Sequence, residues 1–452
     1  MASIPPPAVT DLDQLTELFH RSEKPAEHWR IGMEAEKFGV HCPTLSPLQY
    51  EGNQGVQEVF RFLSERFGYR LVTESGGTAP VALVRGGTSI TLEPAAQFEL
   101  SGAPQADLHA VNQEFMLHLE ELREVASRFN LHFLHIGFHP LANHDQLPWV
   151  PKRRYPIMAA YLPQRGRRGL DMMRRTATVQ VNIDYSSERD AMDKLVTLLR
   201  LSPVIAAMSL HAPFIEGRRS ALLSERQDVW MHMDPARSGL ILPLWSKREP
   251  RYRDYVDWAL DAGMFLFYRD GQALKNTGQS FKSFLGDGFG GHRPTEEDWQ
   301  LHLGTLFPEV RLKSTIEIRC CDCLSPELNV AVVALLVGLT YDETALSAAR
   351  EVAEHITPEN VDSLRQRLIR HGLATRTEAT TLGDLARTLV DAAQNGLRRR
   401  ARFDTSGQDE SRYLQPLAKL TGANLTPAEQ LLAQHARTGA SVADFVARCC
   451  AA

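Results

Sequence analysis

The sequence of 452 residues is short of several features that would settle its class at once. It has no uninterrupted apolar run near the ~20 residues of a membrane span, so no membrane segment is expected. Its opening, MASIPPPAVTDLDQ, lacks a basic segment followed by an apolar core, so no secretory signal is expected. It lacks an excess of positive charge: 50 Lys and Arg stand against 55 Asp and Glu, a formal net charge of −5. A nucleic-acid binder shows a basic patch on a basic domain, so no nucleic-acid partner is expected. The basic runs at 165–168 and 398–402 read as solvated loop or helix ends.

Cysteine is scarce and clustered: Cys42, Cys320, Cys321, Cys323, Cys449 and Cys450. That is not the spread framework of a secreted disulfide protein, and a reducing cytoplasm is the expected compartment. CCDC, residues 320–323, lacks a second cysteine pair at zinc spacing, and Cys449 and Cys450 would have to join it from far along the chain. Plain thiols near the site are expected there. His132, His135 and His139 lie in a strand-like run that does not put all three on one face, so they are not expected to bind metal. There is no G-x-x-x-x-G-K-[ST] loop. GDGFGG, residues 286–291, matches G-x-G-x-x-G in letters only. It follows the helix-like SFKSFL, no helix opens after it, and it reads as a flexible loop or lid.

What is present is ordinary globular composition, 43% apolar and 23% charged, in a chain long enough for one large or two smaller domains. Apolar spacing predicts helices over 10–25, capped by Thr10 or Asp11, and over 54–68, 105–129, 187–211 and 326–352. After about residue 355 the texture changes to short helical patterns broken by Gly372, Gly407 and Gly422. We expect a catalytic unit over 1–355 and a helical subdomain over 356–452 packed on it.

Four strand-like stretches share one property. In IGMEAEKFGV, residues 31–40, Glu34 and Glu36 oppose Met33 and Ala35. On a strand those two glutamates share a face, with Cα atoms roughly 6.6–6.8 Å apart. In SITLEPAAQFEL, residues 89–100, Thr91 and Glu93 alternate with Ile90 and Leu92, and after Pro94 Gln97 and Glu99 alternate with Phe98 and Leu100. In TATVQVNID, residues 176–184, Thr178, Gln180, Asn182 and Asp184 oppose Val179, Val181 and Ile183. In STIEIR, residues 314–319, Glu317 and Arg319 oppose Ile316 and Ile318.

The economical architecture is α+β: a cupped, largely antiparallel β-sheet with helices on its apolar face. Its other face would be a bowl lined by Glu34, Glu36, Glu93, Glu99, Glu317, Gln180, Asn182 and Arg319. A merely solvated face would mix in lysine, and this set has none. Converging carboxylates suit hard divalent cations, and this number has room for more than one Mg²⁺ and hence for a triphosphate. Arg319 adds a fork for phosphate or carboxylate.

IGMEAEKFGV, TLEPAAQFELSGAP, RRYPIMAAYLP, GLDMMRRTATVQVNID, YVDWALD, LFPEVRLK and EIRCCD fall in the order of the matching segments of plant-type glutamate–cysteine ligases. The resemblance runs from about residue 30 to 345 and weakly into the tail. More loosely, the chain is similar to the wider glutamate–cysteine ligases of the glutamine synthetase and guanido kinase-like fold, whose cupped antiparallel sheet agrees with the bowl.

The resemblance implies ATP-dependent ligation of the L-glutamate γ-carboxylate to the L-cysteine amine through a γ-glutamyl phosphate, giving γ-glutamylcysteine, ADP and phosphate, the first step of glutathione synthesis. By it, Glu34, Glu36, Glu93, Glu99, Gln180 and Glu317 form the Mg²⁺ shell. Arg319, with Glu317, lies at the transferred phosphoryl group. Arg226 would hold the glutamate α-carboxylate, and Asn182 and Thr178 would orient substrate. Tyr155, Tyr161 and Arg175 would be wall residues. The partners implied are small molecules, with the chain a monomer or homodimer.

Two departures stand out. Ala95-Ala96 and the CCDC stretch replace Gly-rich turns, and the second, beside Arg319, leaves a different amine acceptor as the alternative. The redox-switch cysteine of plant members is Ala177 here, so no disulfide switch is expected through that position. A non-catalytic protein on the same scaffold would have lost carboxylates from the bowl, and none is lost.

Overall fold

In the computed structural model, which describes residues 8–74 and 77–451, the four alternating stretches meet in one sheet. The first seven residues, and with them half of the segment read for a signal, lie outside it, as do the side chains of Cys449 and Cys450. The sheet has nine strands: β1 (Ile31–His41), β2 (Arg70–Thr73), β3 (Pro80–Arg85), β4 (Thr88–Leu92), β5 (Phe98–Ser101), β6 (Leu131–Leu134), β7 (Thr178–Ile183), β8 (Val310–Leu312) and β9 (Ile316–Asp322). Their order is β8-β9-β7-β1-β5-β4-β3-β2, with β6 on the far half of β1. Every pairing is antiparallel.

Period-2 alternation makes this sheet two-faced. Ile31, Met33 and Ala35 of β1 join Val179, Val181 and Ile183 of β7 and Ile316 and Ile318 of β9 in one core. Helices Leu108–Phe129, Glu188–Met208 and Pro326–Thr340 bury their apolar faces in that core. The first two begin where a side chain supplies the missing acceptor: Asp107 accepts from Ala110 N and Ser187 from Asp190 N.

The helix expected over 326–352 is two helices, Pro326–Thr340 and Glu343–Ala353, bent by 99°. The cause is Asp342, whose carboxylate caps the second helix by accepting from Ala345 N. The first of the pair is apolar all round because it is covered all round, by the sheet on one side and by tail helices on the other. Among the described residues no single helix is long and apolar enough to cross a membrane.

The tail shares this core rather than lying over it. Leu364, Leu368, Leu382, Leu389 and Leu397 belong to the cluster that holds the sheet's apolar face. Helix Leu382–Arg400 crosses helix Pro326–Thr340 where Gly396 meets Gly338. A Cβ on Gly338 would lie 2.5 Å from the Ala393 carbonyl oxygen, so the two backbones touch with no room for a methyl group.

Residues 320–322 of the CCDC stretch are strand, not turn. The β7–β9 register shifts between Ile318 and Cys321, and this bulge turns Cys320 and Cys321 both into the core. GDGFGG begins within the last turn of helix Phe281–Asp287, with no strand before it. Two of the three histidines, His135 and His139, are driven by burial down to about 3.

Gly338→Ala forces backbone against backbone at this crossing, and overpacking of that kind costs about 1–3 kcal/mol. We expect a clear fall in the thermal unfolding midpoint. An unchanged midpoint would mean the tail helix is not docked as described.

Candidate active site

The bowl is built by register. Glu36 of β1 faces Glu99 of β5, and Glu34 faces Gln180 of β7. Asn182 of β7 faces Glu317 of β9, and Glu99 faces Thr91 of β4. Neighbours then hold each carboxylate in place. Asn182 Nδ2 donates to Glu34 Oε1 at 2.9 Å, and the Thr178 backbone N–H donates to Glu36 Oε2 at 3.1 Å. Thr91 Oγ1 donates to Glu99 Oε2 at 2.5 Å. Glu93 sits at the turn after β4, where Ala96 takes a left-handed φ of 63°. Alanine there costs roughly 1–2 kcal/mol where glycine would be unstrained.

Cations enter at one end. Arg311 on β8 grips Glu317 with a fork, Nε to Oε2 at 2.6 Å and Nη2 to Oε1 at 3.0 Å. Arg319 Nη1 donates to Glu317 Oε2 at 3.0 Å and also to Gln180 Oε1. Lys313 Nζ lies 3.5 Å from Glu317 Oε1. Burial works to raise the Glu317 carboxyl, but Arg311, Lys313 and Arg319 together hold it well below the usual range. Sequence reading missed Arg311 and Lys313. Both stand in LFPEVRLK, and Arg311 alternates with Val310 and Leu312, a signal only three residues long.

The other carboxylates behave oppositely. Burial, then the nearby Glu93, pushes Glu36 up to about 8. Burial, with Glu34, Glu93 and Glu36 adding repulsion, pushes Glu99 well above the usual range. Such a group invites a cation. Among the described residues no three acidic, imidazole or thiol groups already close into a cage.

Beside the bowl opens a cleft of about 70 Å³. Glu36, Glu93, Thr178, Tyr155 and the three arginines Arg154, Arg226 and Arg319 line it. Arg226 rides on helix Glu225–Met231 and donates from Nη2 to the Arg319 carbonyl at 2.8 Å. The Tyr155 hydroxyl donates to the Leu92 carbonyl at 2.9 Å, so its ring is fixed as wall. Met172, Met173 and Trp230 complete the wall and were not foreseen. Trp230 stands four residues after Arg226, a helical spacing that strand-based reading does not capture.

Two expected wall residues do not join the cleft. Arg175 is buried, pairs with Asp171 at 3.3 Å and Glu216 at 3.1 Å, and lies over the Phe138 ring. Tyr161 packs edge-on against Phe265, near Arg237. Each is held by partners outside the cleft. The thiols of Cys320, Cys321 and Cys323 are buried and line no part of it.

The family model for glutamate–cysteine ligase family 2 matches residues 30–448. The chain belongs to that family. Chloroplastic glutamate–cysteine ligase A of Oryza sativa subsp. indica is 39% identical over 412 residues, covering 90% of this chain and 81% of that protein. The Arabidopsis thaliana chloroplastic enzyme is 38% identical over 412 residues, covering 90% and 77%. A solved Francisella tularensis glutamate–cysteine ligase in complex with AMP superposes with a TM-score of 0.55 at 12% identity, covering 94% of this chain and 88% of that one, a likeness of fold. The protein is thus an ATP-dependent glutamate–cysteine ligase, and it catalyses the first step of glutathione synthesis.

Between the ordinary carboxyl value of 4.5 and about 8, the folded ligase keeps a proton on Glu36 that the unfolded chain has lost. The folded state binds more protons there, so this group's contribution makes stability fall as pH rises through that window. We expect the metal-free unfolding midpoint to drop more from about pH 5.5 to about pH 8 in wild type than in Glu36→Gln. Added Mg²⁺ should raise the midpoint more at the higher pH. A Mg²⁺ effect indifferent to pH would remove Glu36 from the cation site.

Proposed function

We propose that the ligase works through a γ-glutamyl phosphate made in the bowl. The observation that carries this reading is the register itself: carboxylates and amides of β1, β5 and β7 face one another beside Arg319 and Arg226. Glu34, Glu36, Glu93, Glu99 and Gln180 would hold Mg²⁺, and these five oxygen-bearing side chains are enough for more than one ion. Glu317 would contribute through the lone pairs that Arg311 leaves free. Bound Mg²⁺ supplies neutralisation of the triphosphate's charge.

The chain's own groups bind and orient. Arg226 would receive the glutamate α-carboxylate, and Arg319 would lie against the transferred phosphoryl group. The Nε atoms of both arginines are buried without a partner. Thr178 and Asn182 act through Glu36 and Glu34, whose oxygens they fix. An oxygen of the glutamate γ-carboxylate attacks the γ-phosphorus of ATP and ADP leaves. The cysteine nitrogen then attacks the acyl carbon, the acyl C–O bond breaks, phosphate leaves and the nitrogen gives up a proton. No protein nucleophile is needed, because positioning and charge neutralisation lower the barrier. The small-molecule substrates are the partners of this reading, with the chain a monomer or a homodimer. The four described cysteines are free, in keeping with the proposed reducing cytoplasm.

The test is ADP release by purified protein with ATP, Mg²⁺ and glutamate, with and without cysteine, and the product identified by mass. We expect cysteine-dependent release and γ-glutamylcysteine. Release without that adduct would overturn the acceptor. In Arg226→Lys the glutamate KM should rise about 10–100-fold, the worth of a charge-assisted hydrogen bond. An unchanged glutamate KM would remove Arg226 from the α-carboxylate.

A further inference from the structure

Besides helix Arg154–Tyr161, which brings Arg154, Tyr155 and Met158, the cleft has two further helical walls. Helix Gly169–Arg175 brings Met172 and Met173, and helix Glu225–Met231 brings Arg226 and Trp230. One guanidinium joins them. Arg168, immediately before the first helix, donates from Nε to Asp171 Oδ2 at 2.8 Å. From Nη1 it donates to Glu225 Oε2 at 2.8 Å and to Asp228 Oδ2 at 2.6 Å. Glu225 and Asp228 flank Arg226 on the same helix. Among the described residues no other ion pair links residues 168–175 to residues 225–231.

All four partners are largely shielded from water. Their side chains are 14% exposed for Arg168, 9% for Glu225, 15% for Asp171 and 18% for Asp228. Screening by salt is weak there, and a planar fork holds several carboxylates in a fixed geometry that an ammonium cannot match. The outer carboxylates are themselves anchored. Ser220 Oγ donates to Glu225 Oε1 at 2.5 Å, and His144 Nε2 lies 3.0 Å from Asp171 Oδ1. Arg168 does not line the cleft.

We infer that Arg168 is a positioning residue for glutamate: it sets the spacing of the two walls and so the place of Arg226, without touching substrate. This rests on the reading of Arg226 as the partner of the glutamate α-carboxylate. In a cleft of about 70 Å³ a small shift of one wall changes the fit.

The test compares steady-state constants and unfolding midpoints of Arg168→Lys, Asp228→Asn and Arg226→Lys in the full chain. Arg168→Lys keeps the charge and loses the fork. It should raise the glutamate KM about tenfold and leave the ATP KM within about twofold, because only the glutamate end moves. Asp228→Asn severs one arm and should shift the glutamate KM in the same direction by less. It also carries the test if Arg168→Lys does not fold. A purely structural role would lower the midpoint and the fraction of active protein, so kcat would fall with every KM unchanged; that result overturns the inference. If Arg226→Lys raises the glutamate KM while Arg168→Lys and Asp228→Asn do not, the inference falls alone. If Arg226→Lys has no effect on it, the reading of Arg226 falls and this inference with it.

Discussion

The constraint on which the rest depends is the burial of a group of mutually repelling carboxyls, with Glu36 and Glu99 at its centre. They are register partners across β1 and β5, both nearly buried. Directly opposed side chains on such strands have Cβ atoms about 4.5–5.5 Å apart. Burial is the first force that raises both carboxyls. Glu34 and Glu93 add to this. A loop would relax until such groups parted. An antiparallel sheet cannot, because its backbone hydrogen bonds fix the register and a one-residue slip would turn the apolar core face outward. The core of helices behind the sheet is therefore what keeps the carboxylates together.

The cations gather most closely around Glu317, and that gives the bowl its polarity. Glu317 is committed to Arg311, Lys313 and Arg319, so it stays ionised while Glu36 and Glu99 are driven towards their protonated forms. One chemical type, the carboxyl group, thus fills two roles that the environment sets. The arginines are also coupled through the backbone, since Arg226 donates to the Arg319 carbonyl. Gln227 next to it donates to the Cys320 carbonyl at 2.6 Å, and Thr178 to the Cys321 carbonyl at 2.6 Å. Three side chains therefore pin the bulge that follows Glu317. A ligand drawing on Arg226 pulls on the same stretch that carries Arg319.

Period-2 alternation made much of this legible. Glu34, Glu36, Glu99, Gln180, Asn182, Glu317 and Arg319 could be read onto one face because their strands are long enough to show it. Arg311 could not, since β8 has three residues. Met172, Met173 and Trp230 reach the cleft from helices whose contact with the sheet depends on long-range packing. Arg175 was misplaced for a related reason. It follows directly in the motif before β7, but Asp171, one helical turn back, and the distant Glu216 draw its guanidinium away. The helix break at Asp342 carried a local signal, an N-cap residue, inside a run whose apolar character hid it. The tail's share in the core depends on Gly338 and Gly396 meeting, which no single segment reveals.

The CCDC stretch shows how a bulge alters the meaning of a substitution. By simple alternation beyond Arg319, Cys320 would face the core and Cys321 the bowl, where a thiol would touch substrate. The register shift after Ile318 removes that possibility, because both thiols join the core cluster and both offer only backbone carbonyls to the site's side. The unusual letters beside Arg319 therefore give no reason to expect a different amine acceptor. Choice of acceptor has to come from groups that do line the cleft, and these include the thioethers of Met172 and Met173 and the indole of Trp230. Those groups stand on the two helices that Arg168 ties together. On the proposed placing of glutamate against Arg226, the width that suits glutamate is thus set by the same pair of walls that carries these groups.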